Sequence, residues 1–146
     1  MENKIIIFTD GATRDNPHGA SASGYRIIDI KGNILKEDAK INSIATNNQA
    51  EYHAVIMALE WCRDNFKLPQ NIIVELYSDS ENTVKQINKE NKIKSMNLKP
   101  LAKKVNDLIK EFREVKVQHR KREDKNISIV DRSLNNLLDD YQSKTL

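Results

Sequence analysis

The chain reads as a mixed α/β fold, five strands and four helices in the order βββαβααβα, with the strands in one mixed five-stranded sheet flanked by helices. Three observations predict it. Two short continuous apolar runs, Lys4 to Thr9 and Ile72 to Ser78, each stop at an aspartate, Asp10 and Asp79, as buried strands do. Between them Asn48 to Asn65 carries apolar residues at helical spacing. Before that helix, Lys31-Gly32-Asn33 separates two segments that read as an antiparallel meander.

Strand 1 is expected over Lys4 to Thr9, followed by a polar loop through Asn16, Pro17 and Gly19. Strand 2 runs from Ala20 to Ile30 and strand 3 from Ile34 to Ile44. Thr46 and Asn47 are the candidate N-caps of helix 1. Strand 4 follows, then helix 2 over Glu81 to Lys89. Pro100 suits the first turn of helix 3, which should reach Phe112. Strand 5, Val115 to His119, leads through a charged loop to a last helix over Ile129 to Leu138. Trp61 and Phe66 are read as packing residues with no role toward bases.

A length of 146 residues fits one domain over 1–146 with a real core. The composition, 38% hydrophobic with four Gly and three Pro, excludes a collagen-like or low-complexity chain. No apolar run is long enough for a membrane span, and the N-terminus lacks a signal-peptide pattern. A single cysteine, Cys62, cannot form an internal disulfide, so a cytoplasmic location and a place in the core are expected. Nothing demands more than a monomer. The net charge of +3 is unevenly spread: Lys85 to Lys125 holds 14 basic against 6 acidic residues, leaving the rest of the chain at −5. That asymmetry suits a phosphate-binding face beside an acidic one, although solvated helix surfaces are also Lys-rich. Lys103, Lys104 and Lys110 share a helix whose Leu101, Val105 and Leu108 should face inward.

Four acids carry the functional reading: Asp10 closing strand 1, Glu51 opening helix 1, Asp79 closing strand 4 and Asp131 opening the last helix. Parallel strands bring their carboxyl ends to one sheet edge, so Asp10 and Asp79 should be neighbours. Glu51 heads the stripe of Val55, Ala58, Leu59 and Cys62, an inward face on which a lone ionised carboxylate is costly without a cation. Carboxylates without a His or Cys cluster favour a hard ion, Mg²⁺ with Mn²⁺ as substitute, and two such ions can drive phosphodiester hydrolysis. Taken singly, each acid also has a plain structural reading: Asp-Gly as a turn, Glu51 as a helix-start charge, Asp79 as a cap.

Phe-Thr-Asp-Gly-Ala at 8–12, Thr-Asn-Asn-Gln-Ala-Glu-Tyr at 46–52, Tyr-Ser-Asp-Ser at 77–80 with Val84 and Ile87, and Asn-Leu-Lys-Pro at 97–100 resemble, in order, the motifs of type 1 ribonuclease H. The resemblance covers nearly the whole chain and implies a ribonuclease H-like fold. The activity implied is endonucleolytic hydrolysis of the RNA strand of an RNA/DNA hybrid, giving 5′-phosphate and 3′-hydroxyl ends. Asp10, Glu51, Asp79 and Asp131 match the catalytic, metal-binding carboxylates. Gly11, Asn16, Asn47 and Asn48 match substrate contacts, and Thr46 resembles a contact to a phosphate of the DNA strand. His119 is the only histidine near the place of the family's accessory loop histidine, and it reads equally as an exposed strand-end residue. His18 and His53 carry no role. The link Asn88 to Lys99 lacks the basic, Trp-containing handle of some bacterial relatives, and no separate hybrid-binding domain is expected before strand 1.

The last motif departs from the family pattern. Asn126 precedes Asp131 by one residue more than expected, and Val130 stands where a small residue is usual. Two alternatives follow: a catalytically silent hybrid- or RNA-binding module, against which the intact acids count, and another metal nuclease on the shared fold, such as a DNA exonuclease or integrase-like enzyme. An actin-like ATPase would need a second lobe, for which the chain is too short.

Overall fold

The computed structural model describes residues 3–14, 19–43 and 45–145. Its elements are β1 (Lys4–Thr13), β2 (Ser21–Asp29), β3 (Ile34–Asn42), α1 (Asn47–Asn65), a 3₁₀ turn (Pro69–Asn71), β4 (Ile73–Ser78), α2 (Glu81–Ile87), α3 (Lys99–Ile109), β5 (Glu114–His119) and α4 (Lys125–Thr145). This is the expected order, and the sheet runs β3-β2-β1-β4-β5. β1, β2 and β3 form the antiparallel meander, while β4 and β5 pair parallel to β1 and to each other.

Alternation along β1 divides the core. Ile5 and Ile7 join Val74 and Leu76 under α1 and α3, whereas Phe8 stacks on Tyr77 at a ring distance of 5.6 Å and meets Ile127 and Val130 of α4 on the other face. The sheet is therefore sandwiched between helices. The α1 stripe behaves as its spacing predicts: Val55, Ala58, Leu59 and Cys62 are fully buried. Burial of the larger members contributes about 1.5–3 kcal/mol each. Trp61 and Phe66 meet edge to face at 5.9 Å and pack against this core.

Two differences from the sequence reading affect the site. β1 continues four residues past Thr9, because its pairing with β4 stops at Thr9 and Ser78 while its pairing with β2 runs on to Thr13 and Ser21. Asp10 thus lies within a strand, where the parallel pairing ends. α4 begins at Lys125, with Asp124 Oδ1 accepting from the N–H groups of Asn126 and Ile127 at 2.9 and 3.2 Å. Asp131 accordingly sits in the second turn of α4 and does not open it. Asn126 therefore lies inside α4 as well, where its Oδ1 accepts from Arg26 Nε at 3.1 Å, and Val130 fills the core under Phe8 and Tyr77. Smaller shifts are the ends of α2 at Ile87 and α3 at Ile109. The far end expected for strand 3, Ile44, lies outside the described residues.

Candidate metal centre and groove

The register Thr9↔Ser78↔His119 aligns the carboxyl ends of the three parallel strands. The next residues after the first two are Asp10 and Asp79, which continue the rows of Phe8 and Tyr77. From the opposite side comes Glu51, in the first turns of α1. Thr46 fixes the start of that helix through a capping box, its Oγ1 accepting from Gln49 N at 3.2 Å while Gln49 Oε1 accepts from Thr46 N at 2.8 Å. Gly11 permits the helix to approach: a Cβ there would stand 2.5 Å from Ala50 C and Glu51 N. At this distance Glu51 Oε1 accepts from Gly11 N at 3.1 Å, and Glu51 Oε2 accepts from Ser78 Oγ at 3.3 Å. Ser23 Oγ adds a 2.6 Å hydrogen bond to Ala50 O, tying the same helical turn to β2.

Asp10, Glu51 and Asp79 each offer an oxygen such that all three lie within 4.8 Å of one another. Asp10 is fully buried and Glu51 is 6% exposed. Burial, then the charges of Glu51 and Asp79, push the Asp10 carboxyl far above the usual carboxylate range. Glu51 is raised as well, by burial and by Asp79, against the lowering effect of its hydrogen bonds from Gly11 and Ser78. Two oxygens in this cluster, Asp10 Oδ2 and Asp79 Oδ1, are buried without a hydrogen-bond partner. Such atoms are destabilising unless something outside the chain meets them. An all-oxygen set of this kind fits a hard divalent cation.

The cluster opens into a groove of about 410 Å³, lined also by Gly11, Asn47, Asp131, Asn135 and Arg122. Asp131 lies outside the close trio, yet its charge also acts to raise Asp10. Arg122 Nε donates to Asp79 Oδ2 at 3.3 Å. The sequence reading counted Arg122 only within the basic stretch and gave Ser78 no role, although both hold members of the acidic cluster.

A family model described as reverse transcriptase-like matches residues 8–129, most of the chain. The ribonuclease H of Chlorobium phaeobacteroides is 38% identical over 88 residues, 60% of this chain and 54% of that protein. The chain spans about half the length of the curated relatives it matches. The crystal structure of ribonuclease H1 from the halophilic archaeon Halobacterium salinarum superposes with a TM-score of 0.84 at 30% identity, covering 94% of this chain and 98% of that one. The chain belongs to the ribonuclease HI family. A further structure, LC11 ribonuclease H1 in complex with an RNA/DNA hybrid, matches at a TM-score of 0.80 and 34% identity, covering 92% of this chain and 99% of that one.

Within this ribonuclease HI fold the remaining sequence-predicted residues fall as follows. Asn47 and Asn48 are exposed in the first turn of α1, and Asn47 lines the groove. Thr46 spends its oxygen lone pair on the helix cap and keeps its hydroxyl proton to donate. His119 ends β5 exposed, beside a second groove shared with Asp79, Lys121 and Arg122. Asn16 and His18 lie outside the described residues. His53 is half-buried on α1, and burial followed by the Lys104 charge lowers its pKa. Among the described residues no helix is long and apolar enough to cross a membrane.

Proposed function

We propose that the chain is an endonuclease that hydrolyses the RNA strand of RNA/DNA hybrids with two divalent cations, Mg²⁺ or Mn²⁺, leaving 5′-phosphate and 3′-hydroxyl ends. The observation that carries this reading is the pair of buried, unpartnered oxygens, Asp10 Oδ2 and Asp79 Oδ1, in an acidic cluster beneath an open groove of a ribonuclease HI chain. Asp10, Glu51 and Asp79 would hold one cation; Asp10 with Asp131 would hold the other. The cations would supply an activated water and stabilisation of the leaving oxygen.

The chain's own residues orient this chemistry. Gly11 N and Ser78 Oγ fix the Glu51 carboxylate from two sides, and Arg122 takes one Asp79 oxygen so that the other remains for the cluster. Asn47, on the groove wall, carries an amide able both to donate to and accept from a ribose 2′-hydroxyl. Glu51 is a second candidate for that hydroxyl, which gives a route to selectivity for RNA. Thr46, Asn48, Gly11 and Asn16 are proposed as further substrate contacts, with His119 as an accessory group.

The reading is tested by incubating a labelled hybrid with Mg²⁺, with Mn²⁺ and with EDTA, and then characterising the RNA fragments. Fragments extendable by a polymerase and refractory to kinase until dephosphorylated are expected in both metals, with none in EDTA. Cleavage in EDTA, or fragments ending in a cyclic or 3′-phosphate, would contradict it.

A further inference from the structure

Arg122 lies in the five-residue link, Arg120 to Asp124, between β5 and α4. The link is braced at both ends. Arg120 N donates to Ser78 O at 2.9 Å, its guanidinium lies 4.2 Å over the Tyr77 ring, and its Nη1 is 2.8 Å from Asp124 Oδ2. Asp124 in turn caps α4 with its other oxygen. Arg122 is therefore carried on a short span with both ends fixed, with Nε resting on Asp79 Oδ2.

The rest of the Arg122 fork has no hydrogen bond among the described residues, and the side chain is 68% exposed. It lines the acidic groove with Glu51 and Asp131, and also the adjacent groove with His119 and Lys121. The pair is exposed on one side alone: the Asp79 side chain is 8% exposed, so the contact holds that carboxylate while the rest of the guanidinium faces outward. One guanidinium cannot neutralise four carboxylates, so its place at the cluster is not explained by charge balance alone. What the geometry leaves available is a planar set of N–H donors, anchored through one nitrogen and presented to the space above the carboxylates. That is the arrangement suited to phosphate oxygens.

We propose that Arg122 binds a phosphate of the nucleic-acid strand lying in the acidic groove, anchored there through its Nε contact with Asp79. The choice of an RNA/DNA hybrid as ligand rests on the function proposed above; the contact itself is read from the link and the groove.

The test is binding of a fluorescent RNA/DNA hybrid in EDTA across a salt series, for the wild type, Arg122→Gln and Arg122→Lys. Circular dichroism would confirm that each variant is folded. Arg122→Gln should bind about 3- to 10-fold more weakly, and its slope of log K against log salt should be shallower by roughly 0.9, the loss of one phosphate contact. Arg122→Lys should keep the slope and recover part of the affinity. Absence of hybrid binding by the wild type, or an unchanged slope in Arg122→Gln, overturns the proposal. A residue that only orients Asp79 would produce that unchanged slope together with an altered Mn²⁺ affinity in calorimetry without nucleic acid. A hybrid bound with the Arg122-dependent slope but left uncut in Mg²⁺ would instead sink the hydrolysis reading and leave the phosphate contact standing.

Discussion

Gly11 shows how one absent side chain brings the acidic cluster together. Its missing Cβ lets the first turn of α1 rest on the β1 backbone, so that Glu51 reaches Gly11 N and Ser78 Oγ. Gly11→Ala should destabilise the chain by about 2–4 kcal/mol in urea unfolding, because the atoms it would overlap are backbone and cannot swing away. Asp10→Asn should act in the opposite direction on the metal-free chain, raising its stability by about 1–2 kcal/mol while abolishing hydrolysis. The sign follows from the raised folded-state pKa values of Asp10 and Glu51. The unfolded carboxyls release their protons near pH 4, whereas these folded ones retain theirs, so stability from this site declines as pH rises from there through the raised values. Thermal melts in EDTA should show that decline, with a shallower slope in Asp10→Asn, and Mg²⁺ should stabilise the wild type more at alkaline than at acidic pH. The proposed ligands Asp10, Glu51 and Asp79 could be singled out in the sequence because each adjoins a strongly patterned stretch, the apolar runs of β1 and β4 and the inward stripe of α1. Arg122 and Ser78 could not, since one depends on the path of a short loop across 43 positions and the other on which face of β4 meets α1.

Among the elements, α4 departs furthest from its sequence reading. Its buried positions Ile127, Val130, Leu134 and Leu138 continue the helical spacing upstream of Ile129, and Leu134 packs so close to β2 that a Cβ on Gly24 would lie 2.7 Å from its Cδ2. The start was missed because Arg120 to Asn126 reads as a uniform charged loop, in which only the cap bonds of Asp124 mark the boundary. Asp124→Ala should therefore cost about 1–2 kcal/mol in thermal or urea unfolding, combining the lost cap with a freed Arg120. Thr46→Ala, which breaks the capping box of α1, should cost about 1 kcal/mol. β2 and β3 were read from the turn between them and β4 from its continuous apolar run. The excess length of β1 was not visible, because Asp-Gly-Ala-Thr lacks apolar patterning and its extension comes from pairing with β2 alone.

Across the whole molecule, the meander and the two parallel strands make a sheet whose carboxyl-end edge gathers acids from β1, β4, α1 and α4. The basic stretch does not act as an unbroken positive surface. Lys85 pairs with Glu81, Lys103 with Asp107 and Lys104 with Glu60, all on helix surfaces. Hybrid binding should accordingly be salt-sensitive through a limited number of phosphate contacts, a dependence to be read from anisotropy titrations between low and physiological salt. The fold class was legible because element order and apolar periodicity agree, while the distribution of charge over the folded surface was not, because ion pairing depends on which helices become neighbours. The most direct test of the account is cleavage of an end-labelled RNA/DNA hybrid in Mg²⁺, beside RNA duplex, DNA duplex and single strands, with Asp10→Asn as control. Only the hybrid's RNA strand should be cut, and the variant should be inactive. Folded wild-type protein that leaves the hybrid intact in both Mg²⁺ and Mn²⁺, or that cuts DNA instead, would contradict the account.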